Sequence, residues 1–237
     1  MKCAPMLSIT VALVIADPSY GAPELTPHTA EYEVSMSVMS GVLSTELRKI
    51  PNGYVAHHIV KPSGLSRMIT GGTIDVTSEF QKGTDGVKPI RFQATDTIRG
   101  APDVDLTFDW STNLVKGTVG EESVELQLDG IAHDSVSIQY ELMHDLLTGD
   151  TNGQYTLFDL DQLKIANVLS TGEKLLKARA GTFTAVGIRH QKEGSLRTTT
   201  LWCVEELGYL PVVIEQHRKG KLTFRASLVK YTPTQKE

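Results

Sequence analysis

Hydrophobic and polar residues alternate with a period of two along most of the chain after residue 23. In residues 31–38, for example, Tyr32, Val34, Met36 and Val38 fall on one side of an extended chain. Such alternation is typical of strands that have one face on an apolar core and the other in water. The pattern therefore predicts a mainly β protein built from antiparallel strands.

Turn residues separate the predicted strands. Segments 45–50 and 54–60 flank Pro51-Asn52-Gly53, whose Asn-Gly pair favours the positive φ angles of a tight hairpin. Alternation and flanking turn residues predict further strands at 72–81, 90–98, 104–110, 114–119, 124–128, 163–169, 175–180, 182–189, 197–204, 210–217 and 222–231. No repeat and no linker-like tract interrupts this series, so we expect a single β-rich domain over residues 22–237.

One segment, residues 134–147, has the spacing of a helix instead. Its apolar residues recur three and four positions apart: Val136, Tyr140, Met143 and Leu147, beside a second row of Ile138, Leu142 and Leu146. Asp134 can cap the first turn and Gly149 can end the helix. A shorter helical turn is predicted at 64–69. Because so apolar a helix must be buried, we expect its first row to pack on the concave face of the sheet.

The N-terminal residues have the order of a secretory signal peptide. Lys2 supplies a positive charge, residues 6–16 are uncharged and mostly apolar, and Ser19-Tyr20-Gly21 places small residues before a cleavage site. We expect cleavage before Ala22, which makes residues 1–21 the signal peptide and the mature protein periplasmic. The alternative is a buried N-terminal strand or helix. The apolar run is too short to span a bilayer, and no later segment approaches about twenty apolar residues.

Charge and cysteine content narrow the choice of partners. The chain has 237 residues and a formal net charge of −5, with its Lys and Arg residues spread thinly. Nucleic acid is therefore not an expected partner, because binding to phosphates needs clustered cations. An anionic membrane surface is disfavoured for the same reason. Loss of the signal peptide would remove Cys3 and leave Cys203 as the one thiol. We expect Cys203 to be a buried, unreactive residue of an apolar strand.

Several motifs in the C-terminal third resemble a known family. They are Gly181-Thr182-Phe183, Arg197-Thr198-Thr199-Thr200-Leu201-Trp202, Leu207-Gly208-Tyr209-Leu210-Pro211-Val212 and Thr223-Phe224. Upstream, Tyr32-Glu33-Val34, Pro62-Ser63-Gly64-Leu65 and Phe108-Asp109-Trp110 follow in the same order. The chain is similar, over residues 31–232, to the exported bacterial family catalogued as domain of unknown function 3108.

That resemblance implies a fold rather than an activity. It implies a curved antiparallel sheet or half-open β-barrel with one packed α-helix, similar to the folds of periplasmic lipoprotein carriers. No catalytic residue follows from it. From the residues themselves, we expect Gly208 and Pro211 to shape a turn into an edge strand, and the large side chains of Trp202, Tyr209 and Phe224 to lie in the core.

Motifs for common chemistries are absent from the sequence. The closest approach to a hydrolase Gly-x-Ser-x-Gly elbow, residues 64–68, fails at Met68, and no nucleotide or zinc-protease motif occurs. The adjacent His57 and His58 should point to opposite faces of a strand, whereas His190 and His217 could meet on paired strands without a third metal ligand. We therefore predict no catalytic residue, no metal site and no cofactor.

Three functions remain compatible with these observations. The first is non-enzymatic binding of an apolar or lipid-like ligand in the concave face of the sheet, with candidate contacts Val34, Met36, Leu65, Met68, Ile69, Phe108, Trp110 and Met143. The second is binding or processing of envelope glycans by carboxylates beside Trp110, for which Asp96, Asp103 and Asp105 are candidates. The third is a protein-interaction module that uses an exposed sheet edge.

Overall fold

A computed structural model describes residues 24–37, 39–150, 152–159 and 162–234. The predicted signal peptide and Val38 lie outside these residues. Fifteen strands carry the fold: β1 (His28–Met36), β2 (Met39–Ile50), β3 (Gly53–Pro62), β4 (Ile74–Gly83), β5 (Gly86–Asp96), β6 (Ala101–Asp109), β7 (Leu114–Val119), β8 (Glu122–Gln127), β9 (Ala132–His133), β10 (Gly153–Asp159), β11 (Gln162–Ala178), β12 (Gly181–Lys192), β13 (Arg197–Val204), β14 (Leu210–Arg218) and β15 (Lys221–Pro233). The helices are α1 (Ser66–Ile69) and α2 (Ser137–Thr148), and Glu205–Leu207 form a 3-10 turn.

All fifteen strands belong to one open sheet, which confirms the mainly β fold. The order is β8-β7-β6-β5-β4-β3-β2-β1-β15-β14-β13-β12-β11-β10-β9, so β1 and β15 pair in the middle. Neighbouring strands are antiparallel, except that the two-residue strand β9 runs parallel to β10. Among the described residues, no helix is long and apolar enough to cross a membrane.

The antiparallel order sorts the connections onto two ends of the sheet. One end, which we call the α1 end, carries residues 63–73 with α1 and the connections 97–100, 120–121, 193–196 and 219–220. The other end, which we call the far end, carries the connections 51–52, 84–85, 110–113, 179–180 and 205–209. Helix α2 begins towards the α1 end and runs to the far end, where β10 starts.

Helix α2 is buried between the two halves of the curved sheet. Val136, Tyr140 and Met143 pack into a cluster formed mainly by β3 to β7, and Leu147 lies against the same cluster. This contact confirms the expected packing on the concave face. The second row of the helix, Ile138, Leu142 and Leu146, packs against residues of β10 to β13. The helix therefore joins both halves of the sheet into one core.

The ends of α2 follow the predicted capping. The Oδ1 atom of Asp134 accepts hydrogen bonds from the backbone N–H groups of Val136 and Ser137, both at 2.8 Å. Gly149 closes the helix in the left-handed conformation with a φ of 87°. Short polar side chains and glycine are the residues that satisfy free backbone groups at these two positions. The local sequence thus determines where this helix starts and stops.

A separate apolar cluster lies where β1, β2, β14 and β15 meet the β11–β12 hairpin. Tyr32 is fully buried there, and its hydroxyl donates to the carbonyl oxygen of Pro211 at 3.0 Å. Trp202 and Phe224 pack against this cluster, as expected for large apolar side chains. Cys203 is also buried, in the cluster around α2, and burial raises the pKa of its thiol. The prediction of a buried, unreactive cysteine fits this position.

Several local predictions were wrong. Segments 163–169 and 175–180 form one strand, β11, whose pairing with β12 shifts between Ser170 and Glu173. In the hairpin between β2 and β3, Gly53 has a positive φ of 147° but Asn52 does not. The strand after Gly208 is β14, which lies inside the sheet rather than at its edge. Strands β9 and β10 were not predicted at all.

The histidines on strands have separate surroundings. His57 Nε2 lies 2.8 Å from a carboxylate oxygen of Asp75, whereas His58 Nε2 lies 3.4 Å from the Tyr140 hydroxyl in the core. The two rings therefore point to opposite faces, as predicted. His190 and His217 do not lie on paired strands, because β13 separates β12 from β14. Within the described ranges, no group of three or more His, Cys, Asp or Glu residues could hold a metal ion.

Candidate functional site

A large cleft lies between α2 and the C-terminal half of the sheet. Its volume is about 970 Å³, and its lining comes from α2 and from β10 to β14. Exposed residues of the 193–196 connection, together with Arg218 at the end of β14, form its mouth at the α1 end. A cavity of this size falls within the range of roughly 300–1,000 Å³ that is usual for small-molecule sites.

One part of the cleft lining is apolar. Ile138 and Leu142 contribute the side of α2 that does not face β3 to β7. The remaining apolar lining comes from four strand residues: Leu157, Phe158, Leu201 and Ile214. Five of these six side chains are buried, and Ile214 is half-buried. These six side chains offer hydrocarbon surface to a ligand, whereas Gln139, Thr199 and Gln216 add polar groups to the same lining.

The wall near the mouth carries a carboxylate held by two lysines. Lys164 Nζ donates to Asp159 at 2.7 Å, and Lys192 Nζ donates to the other oxygen at 2.8 Å. Burial alone would raise the pKa of Asp159, but the two lysine hydrogen bonds outweigh burial and lower that pKa. One negative charge thus faces two positive charges, which leaves this wall with a net positive charge.

Two arginines at the mouth face each other without an acidic partner. Arg197 on β13 and Arg218 on β14 are cross-strand partners in the register, and both are exposed. Neither side chain forms a hydrogen bond or an ion pair with the described part of the chain. Like charges directly opposite each other destabilise a strand pair. A bound anion would relieve this repulsion, because guanidinium groups bind carboxylate and phosphate oxygens in pairs.

A histidine and an aspartate, His190 and Asp134, also line the cleft, and neither carries a positive charge near neutral pH. Burial, with a smaller contribution from Lys192, lowers the pKa of His190 to about 4, so its ring is neutral at pH 7. Asp134 is buried, accepts a hydrogen bond from Ser78 Oγ at 2.7 Å and also caps α2. Burial is the main cause that raises its pKa. The positive charge of the cleft therefore comes from lysine and arginine alone.

The hydroxyl groups in the cleft are not arranged as nucleophiles. Ser135, Ser195 and Thr199 contribute to the lining, yet the described structure contains no hydrogen bond from any of them to His190. Nucleophilic catalysis by serine or threonine usually needs such a contact with a base. The described part of the cleft therefore contains no serine or threonine hydroxyl hydrogen bonded to the His190 ring.

The residues predicted as ligand contacts lie in three different places, and none of them lines this cleft. Val34 and Met36 line a small apolar pocket of about 70 Å³ beside Phe224. Phe108 and Met143 are buried in the core around α2, and Trp110 packs against the same core. The third group, Leu65, Met68 and Ile69, is exposed on and next to α1. The structure does not bring the three groups together.

The carboxylates suggested for glycan chemistry are also separated. Asp105 pairs with Arg91 at 2.9 Å on the outer face of β6, whereas the buried Asp96 pairs with Arg99 in the next turn. Asp103 is exposed, and the Trp110 indole N–H donates to the Pro89 carbonyl oxygen at 2.6 Å. Three of these side chains therefore have different partners, and none of the four lines the large cleft.

Sequence reasoning missed the residues that line the cleft. Only one signal was available, namely the second apolar row of α2, which includes Ile138 and Leu142. A helix with apolar residues on two faces must contact apolar surface on both sides, which indicates a second wall opposite β3 to β7. The basic residues gave no local signal, because their approach depends on the pairing of distant strands.

Comparison with solved structures supports the fold. The chain is similar to a crystal structure described as a β-barrel-like protein of domain of unknown function DUF1849 from Brucella abortus, with a TM-score of 0.62. The two sequences are 12% identical, and the match covers 90% of this chain and 100% of the other. No functionally curated protein matches the sequence. A family profile, described as protein of unknown function DUF3108, matches residues 31–225, and the chain therefore belongs to the DUF3108 family.

Proposed function

We propose that this protein is an exported, periplasmic binding protein that holds a lipid-like amphiphile in the cleft beside α2 and does not convert it chemically. One observation carries the proposal: a cleft of about 970 Å³ combines an apolar part of its lining with a basic mouth. An apolar chain would displace water from Leu142, Leu157 and Leu201, which is the main source of affinity in such sites.

The charges at the mouth favour a ligand with an anionic head group. Arg197 and Arg218 are free to bind an anion, and Lys164 and Lys192 lie on the neighbouring wall. A purely polar ligand would leave the apolar part of the lining in contact with water, because it has no apolar group to place there. A fatty acid or an acidic phospholipid has both the apolar chain and the oxygen-rich head group that this cleft fits.

The N-terminal sequence supports the proposed location. Lys2, the apolar residues 6–16 and the small residues before Ala22 have the order of a signal peptide. In the periplasm, a soluble carrier of this type would transport an amphiphile across the aqueous space. The mass of the protein recovered from the cell envelope tests this part: a mature N-terminus at Ala22 is expected, and a full-length cytoplasmic product would contradict it.

Ligand binding is tested by filling the cleft. Gln139 of α2 is half-buried and lines the cleft, so Gln139→Trp should occupy the space of an acyl chain. Gln127→Trp, at the exposed end of β8, is the matched control. We expect a fluorescent fatty acid to bind the natural protein and the control equally, and to bind the Gln139 variant at least about tenfold more weakly.

Native mass spectrometry with lipid extraction identifies the ligand. Protein purified from its own envelope should carry about one lipid-like molecule, and the Gln139→Trp protein should carry none. If the natural protein is always free of lipid and binds no fatty acid or acidic phospholipid, the proposed function is wrong. Equal binding by the Gln139 and Gln127 variants would place any ligand outside this cleft.

A further inference from the structure

Large apolar side chains are exposed at the α1 end of the molecule. The described chain has seven exposed large hydrophobic residues, and five of them lie at this end: Leu65 (80%), Met68 (84%), Ile69 (71%), Leu196 (56%) and Leu222 (51%). The other two, Leu169 and Leu175, are on β11. No connection of the far end, as far as the structure describes it, exposes a large hydrophobic residue.

The helical turn α1 holds three of these side chains in place. Its residue Ser66 is buried, and Ser66 Oγ accepts a hydrogen bond from the Ser40 backbone N–H at 2.8 Å. Arg67 Nε donates to the carbonyl oxygen of Pro62 at 3.2 Å. The backbone of the turn is thus attached to β2 and β3 while Leu65, Met68 and Ile69 face the solvent. Their exposure is a property of an anchored turn.

Positive charge surrounds the exposed apolar residues. Six exposed cations lie at this end, and none of their side chains forms an ion pair within the described residues: Lys61, Arg67, Arg197, Arg218, Lys219 and Lys221. The exposed acids of this end are Glu193 and, towards the β6–β8 edge of the sheet, Asp103, Glu121 and Glu122. The chain as a whole has a formal charge of −5, so this end differs from the average surface.

We propose that the α1 end docks on an anionic phospholipid surface. The apolar residues at the tips of separate connections would enter the boundary between head groups and acyl chains, and the cations would contact lipid phosphates. A protein partner would need one contiguous patch with matched acids and bases, whereas here the apolar tips lie on different connections and the exposed charge is mostly positive. The cleft opens at the same end, so docking would place its mouth against the lipid.

Vesicle binding tests this proposal independently of the cleft. Phosphatidylcholine vesicles with and without phosphatidylglycerol are sedimented with the natural protein and with the triple variant Leu65→Ser, Met68→Ser, Ile69→Ser. The double variant Leu169→Ser, Leu175→Ser is the control, because it removes exposed apolar residues away from the α1 end. We expect binding to the anionic vesicles only, weakened by salt and reduced at least about tenfold in the triple variant.

Three further measurements complete the test. The triple variant should unfold at the same temperature as the natural protein, because its three side chains are exposed. Charge reversal by Lys219→Glu with Lys221→Glu should also weaken binding to anionic vesicles. The Gln139→Trp protein should bind vesicles normally, so a failure of ligand binding in the cleft is distinguishable from a failure of docking.

Two results would overturn the proposal. The first is an absence of binding to anionic vesicles at low salt, or equal loss in the triple and control variants. The second is normal vesicle binding by the triple variant together with loss of a specific cross-link to one envelope protein. That second result would assign the α1 end to a protein partner instead of a lipid surface.

Discussion

The two ends of the sheet differ in how their connections are built. At the far end, polar turns such as 51–52 and 84–85 join the strands directly, and a buried helix residue is hydrogen bonded to one of the hairpins. At the α1 end, the 63–73 connection is longer and exposes Leu65, Met68 and Ile69, and the 193–196 connection lines the mouth of the cleft. The far end thus carries a contact that fixes α2, whereas the α1 end carries the surfaces that we propose for binding.

The contact that best represents the far end joins α2 to the β4–β5 hairpin. A carboxylate oxygen of Glu141 accepts a hydrogen bond from the Val87 backbone N–H, and the carboxylate lies directly over Gly86. Gly86 has a φ of 108°, which residues with a side chain rarely adopt. Burial raises the pKa of Glu141 to about 7. This contact fixes α2 on the β4–β5 hairpin.

The largest effect should come from Gly86→Ala. The new Cβ would overlap the Glu141 carboxylate, and the positive φ would add strain of its own. Loss of the Val87 hydrogen bond would leave a buried carboxylate without its partner. We expect a loss of about 3 kcal/mol in the free energy of unfolding, measured by urea denaturation.

Gly100→Ala at the α1 end is the matched control for that variant. Gly100 also has a positive φ, 64°, but a Cβ there would meet no atom within 4 Å. Its cost should be about 1 kcal/mol from backbone strain alone. If both variants cost the same, the Glu141 contact does not stabilise the far end, and the proposed difference between the two ends is wrong.

The second prediction concerns the pH dependence of stability. The Glu141 carboxyl group has a pKa of about 7 in the folded state and its ordinary value of 4.5 in the unfolded state. The folded state therefore binds the carboxyl proton more tightly. The contribution of Glu141 protonation to the free energy of unfolding is fully present below pH 4.5 and is lost as the pH rises through about 7. At about 1.4 kcal/mol per pKa unit, the loss is at most about 3 kcal/mol.

Glu141→Gln removes this titration. The variant should therefore gain stability relative to the natural protein as the pH rises from about 4.5 to about 8, when both are unfolded in urea at several pH values. The amide oxygen of glutamine can still accept the hydrogen bond from Val87. Parallel stability curves for the two proteins would show that Glu141 is not protonated in the folded state near pH 6.

The smallest effect is expected at the mouth of the cleft. Arg197→Ser removes one member of a pair of like charges that face each other across β13 and β14. Stability should rise by about 0.2–1 kcal/mol at low ionic strength, and the gain should disappear in high salt. Binding of an anionic amphiphile should weaken in the same variant.

Arg189→Ser is the control for the arginine pair. Arg189 is exposed on β12, and its cross-strand neighbours are the uncharged Leu169 and Thr200. Its removal should give no salt-dependent gain in the free energy of unfolding. An equal gain from Arg189→Ser would mean that repulsion between Arg197 and Arg218 is not the cause.

The strands with regular alternation could be predicted from the sequence. The predicted ranges 114–119 and 197–204 coincide with β7 and β13, and the predicted helix differs from α2 by a few residues at its start. These elements have local signals: period-two alternation, Asp134 at the helix start and Gly149 at its end. Strand β10 has no such signal, because neighbouring residues Leu157 and Phe158 are both buried, in two different clusters.

The candidate site depends on information that is not local. Arg197 and Arg218 become neighbours only through the register of β13 with β14, and Asp159 meets Lys192 from a distant part of the chain. Single-sequence patterns show which face of a strand is apolar but not which strands are neighbours. The exposed Leu65, Met68 and Ile69 were predicted as ligand contacts because apolar residues were expected to face inward. Their side chains point into solvent instead.

The pairing of β1 with β15 has a consequence for the order of folding. Thr29 lies opposite Thr232, so the middle of the sheet forms only when residues about 200 positions apart meet. Neither half of the sheet can be joined to the other until the last strand is available, and pairings of such long range are slow to form. We therefore expect the chain to remain incompletely folded throughout its synthesis. A chain in that state can still pass through a translocation channel that admits only unfolded polypeptides.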